Sequence, residues 1–176
     1  MAEGSERSLQ ILAAALEKEE KGREFYRDAS AKCSNHLAKE IFRVLTTEEG
    51  IHITRIKEIY TAIEGGKSWS DQWKSHRQEN TDLQKLLRER AVKGKEVKGD
   101  TSEIEAVNIG IGMEEGAIAF YLDQKGKAVD PLEKEFVDQM IVEERSHLRS
   151  LEDLKLFLTD PESWFVESER HVLDGA

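Results

Sequence analysis

The feature that most restricts how this chain can fold is an internal echo. At position after position, a residue in the first part of the sequence returns 95 places later as the same kind of residue. Glu19 returns as Glu114, Phe25-Tyr26 as Phe120-Tyr121, Glu48-Glu49 as Glu143-Glu144 and His52 as His147. Apolar positions keep the same offset, in the pairs Leu9/Ile104, Leu12/Val107, Ile41/Phe136, Leu45/Met140, Ile56/Leu151 and Ile63/Leu158. A fixed offset held across so many positions implies two related halves, packed about an approximate two-fold axis.

Within each half the apolar spacing is helical. Leu9, Leu12, Leu16, Glu19, Gly22, Tyr26, Ala29 and Cys33 follow one another in steps of three and four, as do Leu37, Ile41, Leu45, Glu49, His52, Ile56, Ile59 and Ile63. The second half repeats this in Ile104, Val107, Ile111, Glu114, Ala117 and Tyr121, and in Leu132, Phe136, Met140, Glu144, His147, Leu151, Leu154 and Leu158. These seams predict four helices, roughly over 6–33, 36–64, 102–128 and 131–159, each about 40 Å long. No segment alternates apolar and polar residues as a strand would.

Short turns join the first helix to the second and the third to the fourth, so each pair is expected to be an antiparallel hairpin. Ser102 and Glu105 offer a capping box for the third helix. Asp130-Pro131 and Asp160-Pro161 read as helix starts. The long link over 65–101, with a short helix expected over Thr81 to Val92, lets the third helix return as in a bundle with one crossover. The expectation is an all-α, antiparallel four-helix bundle forming a single domain over residues 1–176, with a short helix in the C-terminal segment 160–176.

Composition narrows the function. The chain has 26 Lys and Arg against 36 Asp and Glu, a net charge of −10, which argues against nucleic acid and permits cations. No apolar run exceeds six residues (Ile11 to Leu16 is one), too short to span a membrane. The first ten residues lack the pattern of a secretion signal, so a cytoplasmic location is expected. A single cysteine, Cys33, excludes a disulfide framework within the chain.

Each seam is apolar until its middle, where it turns acidic. Glu49 and His52 lie three apart and project together, as do Glu144 and His147, while Glu19 and Glu114 sit at the matching level of the other two helices. Four carboxylates and two imidazoles would meet inside the bundle. Burying four carboxylates without counter-charge costs several kcal/mol per ion, even after relaxation. Two divalent cations supply four positive charges, and a Glu from two helices plus Glu-x-x-His from the other two is the pattern of a di-iron or di-manganese bundle. A solvated helix face is the usual home of glutamate, and each of these has a glutamate neighbour (Glu20, Glu48, Glu115, Glu143). The twofold recurrence of an in-seam Glu three residues before a His favours the ligand reading over that, and over a buried structural histidine.

On these segments (Glu19 to Tyr26, Glu48 to His52, Glu114 to Tyr121 and Glu143 to His147) the sequence resembles the ferritin-like superfamily, and within it the rubrerythrin-like proteins. The resemblance spans roughly residues 6–160, and the tail Asp160 to Phe165 followed by Leu173-Asp174-Gly175 is similar to stand-alone members. It implies metal ligands at Glu19, Glu49, His52, Glu114, Glu144 and His147, with Tyr26 and Tyr121 hydrogen-bonding ligand carboxylates across the bundle. Two iron ions are the implied cofactor, with manganese or zinc as substitutes. The implied activity is that of a di-iron oxidoreductase acting on hydrogen peroxide or O₂, with an external rubredoxin-like electron donor and a homodimeric assembly.

Two departures stand out. One cysteine leaves no paired Cys-x-x-Cys motif for a rubredoxin-like domain. Ala117 also stands where rubrerythrins place a further glutamate, so the implied site is the symmetric six-ligand type, similar to that of bacterioferritin. Iron storage, and a non-catalytic helical protein, are the other readings. The remaining candidates are expected to be structural: Cys33 a buried thiol, His36, His76 and His171 surface residues, and Trp69, Trp73 and Trp164 anchors of the crossover, the tail or an interface.

Overall fold

The computed structural model describes residues 3–76, 83–91 and 99–166. Four long helices dominate: α1 (Glu3–Lys32), α2 (His36–Glu64), α4 (Thr101–Lys127) and α5 (Pro131–Thr159). The crossover between α2 and α4 holds a 3₁₀ turn (Gln72–His76) and the short helix α3 (Leu83–Ala91). No strand occurs among the described residues. Residues 161–166 are helical, and Trp164 is buried there against Phe157 with ring centroids 5.5 Å apart. His171, Leu173-Asp174-Gly175 and the rest of the C-terminal segment lie outside the described residues, as do both ends of the expected Thr81–Val92 helix.

The chain is an all-α, ferritin-like bundle. α1 packs mainly on α2 and α4 mainly on α5, the two hairpins that the short turns require. Asn35 opens α2 by accepting from the amides of Leu37 and Ala38, and Asp130 opens α5 by accepting from Leu132 ahead of Pro131. Asp160 closes α5 and accepts from the Ser163 amide, starting the next helical turn. Gly66, at φ +80°, ends α2: its amide bonds to Ile63 and that of Lys67 to Ala62, the paired bonds that a left-handed glycine makes possible.

The start of α4 departs from the expected Ser102/Glu105 box. Asp100 is the cap and Glu103 its partner, each accepting from the other's amide. Glu103 is fixed there by a second task. Its Oε1 also accepts from the Ser34 and Asn35 amides, at 2.8 and 2.6 Å, and so closes the α1–α2 turn.

Two apolar clusters fill the bundle. Tyr26, Ile41, Phe42, Leu45, Val107, Leu151, Leu154 and Leu158 pack in one, and Leu12, Ile56, Ile59, Ile63, Trp73, Tyr121, Phe136 and Met140 in the other. Along every long helix, the acidic level falls between the two. The crossover is tied down by Trp73, which is buried edge-on against Phe136, and by Trp69, whose indole N–H donates to Ser8.

Candidate metal centre

All six expected ligand residues reach the level between the clusters, each no more than 3% exposed. They form two groups. Glu19, Glu49, His52 and Glu144 bring one ligand atom each within 4.8 Å of one another, and so do Glu49, Glu114, Glu144 and His147. Glu49 and Glu144 belong to both groups, so the arrangement is two four-donor sites sharing two carboxylates. The imidazoles of His52 and His147 stack 5.5 Å apart, as the two-fold relation of the halves requires.

Both histidines aim Nδ1 inward. His52 Nδ1 lies 3.1, 3.4 and 3.2 Å from oxygens of Glu19, Glu49 and Glu144. His147 Nδ1 lies 3.4, 3.8 and 3.3 Å from oxygens of Glu49, Glu114 and Glu144. Yet His147 Nδ1 and Glu144 Oε1 are buried without a hydrogen bond. Buried polar atoms that converge but leave bonding capacity unused have the geometry of ligands around a common centre. Oxygen and imidazole donors suit iron, manganese or zinc. The residues therefore fit a pair of divalent ions.

The outward Nε2 atoms reveal residues that the sequence reading left as bystanders. His52 Nε2 lies 2.8 Å from Glu143 Oε2, and His147 Nε2 lies 2.6 Å from Glu48 Oε2. Each first glutamate of a Glu-Glu pair thus reaches the histidine of the other half. A carboxylate that accepts the N–H at Nε2 fixes the tautomer that leaves Nδ1 free to bind a cation. The 95-residue repeat of Glu48/Glu143 was the signal available; the crossing from one half to the other lies in the packing. Arg55, buried in α2, was not expected at all, and its Nη1 donates to Glu143 Oε2 at 2.6 Å.

The tyrosines also cross between halves. Tyr121 donates to Glu19 Oε1 at 2.6 Å, and Tyr26 donates to Glu114 Oε1. Gly110 makes room for Tyr26, because a Cβ there would stand only 3.2 Å from the tyrosine ring and from Leu151.

The side chains on their own balance charge with protons. Burial, and then the nearby Glu144 carboxylate, hold Glu19 and Glu114 well above the usual carboxylate range. Burial also works against Glu49 and Glu144, but at Glu49 the hydrogen bond shared with Glu19, followed by the two nearby histidines, prevails, and at Glu144 the charge of His52, followed by the nearby His147, does. Glu49 falls to about 2, and Glu144 is driven well below its ordinary value. His52 and His147 are raised well above the usual imidazole range; burial opposes this, and the surrounding carboxylates outweigh it. Burial and charge thus push Glu19, Glu114 and both imidazoles toward their protonated forms, and Glu49 and Glu144 toward their ionised ones.

A cleft of about 450 Å³ opens between α1 and α4 and reaches Glu19, Glu49, Glu114 and Glu144 at its floor. Gly22, Gly112, Gly116 and Ala117 line it together with the longer side chains of Lys18, Met113 and Phe120. The other candidates are peripheral. Cys33 is buried, and its thiol is pushed up to about 11 by burial and by Glu103. His36 is exposed, and His76 pairs with Glu58 at 2.7 Å. No helix among the described residues is long and apolar enough to cross a membrane.

Comparison with known proteins agrees with this geometry. The family model described as Rubrerythrin matches residues 10–155. No curated protein and no solved structure matches the chain.

Proposed function

The chain belongs to the rubrerythrin family of di-iron carboxylate proteins, and on that premise we propose that it is an oxidoreductase that reduces hydrogen peroxide or O₂ at the Glu/His cluster. The observation that carries this reading is the pair of four-donor groups sharing Glu49 and Glu144 at the floor of an open cleft. Glu19 and His52 would complete one position, Glu114 and His147 the other. Iron, when bound, supplies the electrons for reduction of the oxidant.

The rest is the work of the chain's own side chains. Glu143 and Glu48 hold the N–H at Nε2 of His52 and His147 and so aim Nδ1 at the centre. Tyr121 and Tyr26 restrain Glu19 and Glu114 at the cleft floor, and Glu19 keeps its other oxygen, Oε2, turned toward His52. The two apolar clusters keep bulk water from the site on both sides, which strengthens every charge interaction within it. Ala117 places a methyl group where a further carboxylate would narrow the cleft, so a small oxidant can enter from the α1–α4 side.

A separate rubredoxin-like protein is the electron donor in this reading, and the protein works as a homodimer in the cytoplasm. Anaerobic protein loaded with ferrous iron and mixed with substoichiometric peroxide tests the proposal. Reduction of H₂O₂ to two waters consumes two electrons and two protons, so each equivalent should convert two ferrous ions to ferric. Protein that keeps both irons but is inert to peroxide and to O₂ would leave a structural metal role in place of the oxidoreductase. Assembly into a large cage that takes up iron far beyond two per chain would favour storage.

A further inference from the structure

The two halves of the centre differ in what surrounds the outward nitrogens of their histidines. On one side His147 Nε2 meets Glu48, and among the described residues no lysine or arginine pairs with that carboxylate. On the other side His52 Nε2 meets Glu143, whose Oε2 also accepts from Arg55 Nη1 at 2.6 Å and whose Oε1 accepts from Gln139 at 2.8 Å. Arg55 is 1% exposed and is held in place by the His76 carbonyl, which accepts from its Nε and Nη2 at 3.2 and 2.8 Å. The repeat sets Ser150 opposite Arg55 and Val44 opposite Gln139. Ser150 spends its hydroxyl on the Ser146 carbonyl and brings no charge.

Two effects follow, and they have the same sign. A carboxylate that pulls on an imidazole N–H makes the opposite ring nitrogen a stronger donor to a metal. Glu48 exerts that pull undivided on His147, whereas Glu143 divides it between His52 and a guanidinium. The buried positive charge of Arg55 also repels a cation arriving beside His52, in surroundings that screen charge poorly. A tyrosine restrains one carboxylate on each side, Tyr121 on Glu19 and Tyr26 on Glu114, so the tyrosines supply the same kind of contact to both positions.

We propose that Arg55 acts as a positioning residue that makes the two metal positions unequal, so that the first ion enters beside His147 and the second beside His52. The inference rests on the reading of the cluster as a two-metal centre. The second ion should bind about 10–100-fold more weakly than the first, the range typical of changes in the groups that support metal ligands.

Metal-free protein carrying ¹³C-labelled histidine rings and titrated with zinc tests this without redox chemistry. At one equivalent, the His147 ring signals should move to their bound positions while those of His52 stay; the second equivalent should then move His52. Arg55→Gln should bring the two affinities together, and Arg55→Lys, which keeps the charge, should hold most of the gap. Rings that respond together in the unaltered protein, His52 responding first, or an unchanged gap in Arg55→Gln would each overturn the proposal while leaving a two-metal centre standing. Protein that takes up no zinc at the histidines would defeat the metal-centre reading itself. The filling order in the unaltered protein decides the matter even if the variants fold poorly.

Discussion

Loading the centre with two divalent ions should expel protons, up to about four per chain, because metal binding requires deprotonated ligands. The count comes from the side chains that hold protons in the protein on its own. Glu19 and Glu114 are pulled toward the protonated form by burial and by Glu144, and both imidazoles are pulled toward the imidazolium by their carboxylate neighbours. Glu49, at about 2, and Glu144 are already ionised and have none to give. Two carboxyl protons and one from each imidazolium set the ceiling at about four, which equals the positive charge that the ions bring. Each histidine keeps its N–H at Nε2, held by Glu143 or Glu48.

Calorimetric titration with zinc in buffers of different ionisation enthalpy, at one pH, reads this number as the slope of heat against buffer enthalpy. The same linkage makes the product of the two apparent binding constants rise by about four orders of magnitude per pH unit while all four groups are protonated. The sign for the metal-free protein is opposite. Groups whose folded pKa is raised stabilise the fold fully below their unfolded values, and that contribution is lost as pH rises through the folded ones. Metal-free protein should therefore lose stability as pH rises above about 4.5 for the two carboxyls and above about 6.5 for the histidines. A slope near zero at pH 7 would refute the reasoning, since ions that displace no protons are not replacing the charge of this cluster.

Metal at about 100 times its dissociation constant adds about 2.7 kcal/mol to stability, so the loaded protein should melt roughly 5–10 °C above the metal-free form at pH 7. Differential scanning calorimetry checks this, and the gap should close below about pH 5 as ligand protonation releases the metal. Tyr121→Phe removes the donor that restrains Glu19 and should weaken zinc binding by about 10–100-fold in competition with a chelator. An unchanged affinity would show that the hydroxyl has no hold on the ligand. Gly110→Ala forces a methyl group to within 3.2 Å of Tyr26 and Leu151 and should cost about 1–3 kcal/mol in denaturant unfolding. A neutral result would mean that α4 shifts outward to accommodate the methyl.

The sequence disclosed most of this site because two periods coincide in it. Helical spacing turns Glu49 and His52 to one side, and the 95-residue repeat turns Glu144 and His147 to meet them. What stayed hidden depends on distances between helices. Glu48 and Glu143 read as solvated neighbours of a ligand until the bundle brings each to the opposite half's histidine. Arg55 is of a residue type that is seldom buried, and the partners that allow it, Glu143 and the His76 carbonyl, come from α5 and the crossover. The cap of α4 was misplaced for a similar reason. Ser102 and Glu105 satisfy the local pattern as well as Asp100 and Glu103 do, and the contact with the α1–α2 turn that decides between them is not local.

Metal content is the most direct measure of the central claim, that the interior cluster of glutamates and histidines is one two-metal centre. Protein reconstituted with ferrous iron or zinc, desalted and analysed by mass spectrometry should hold two ions per chain. Glu49→Ala combined with Glu144→Ala removes the two carboxylates common to both groups and should abolish tight binding of either ion. Two ions retained by that double variant would contradict the claim, because the metal would then be held somewhere else.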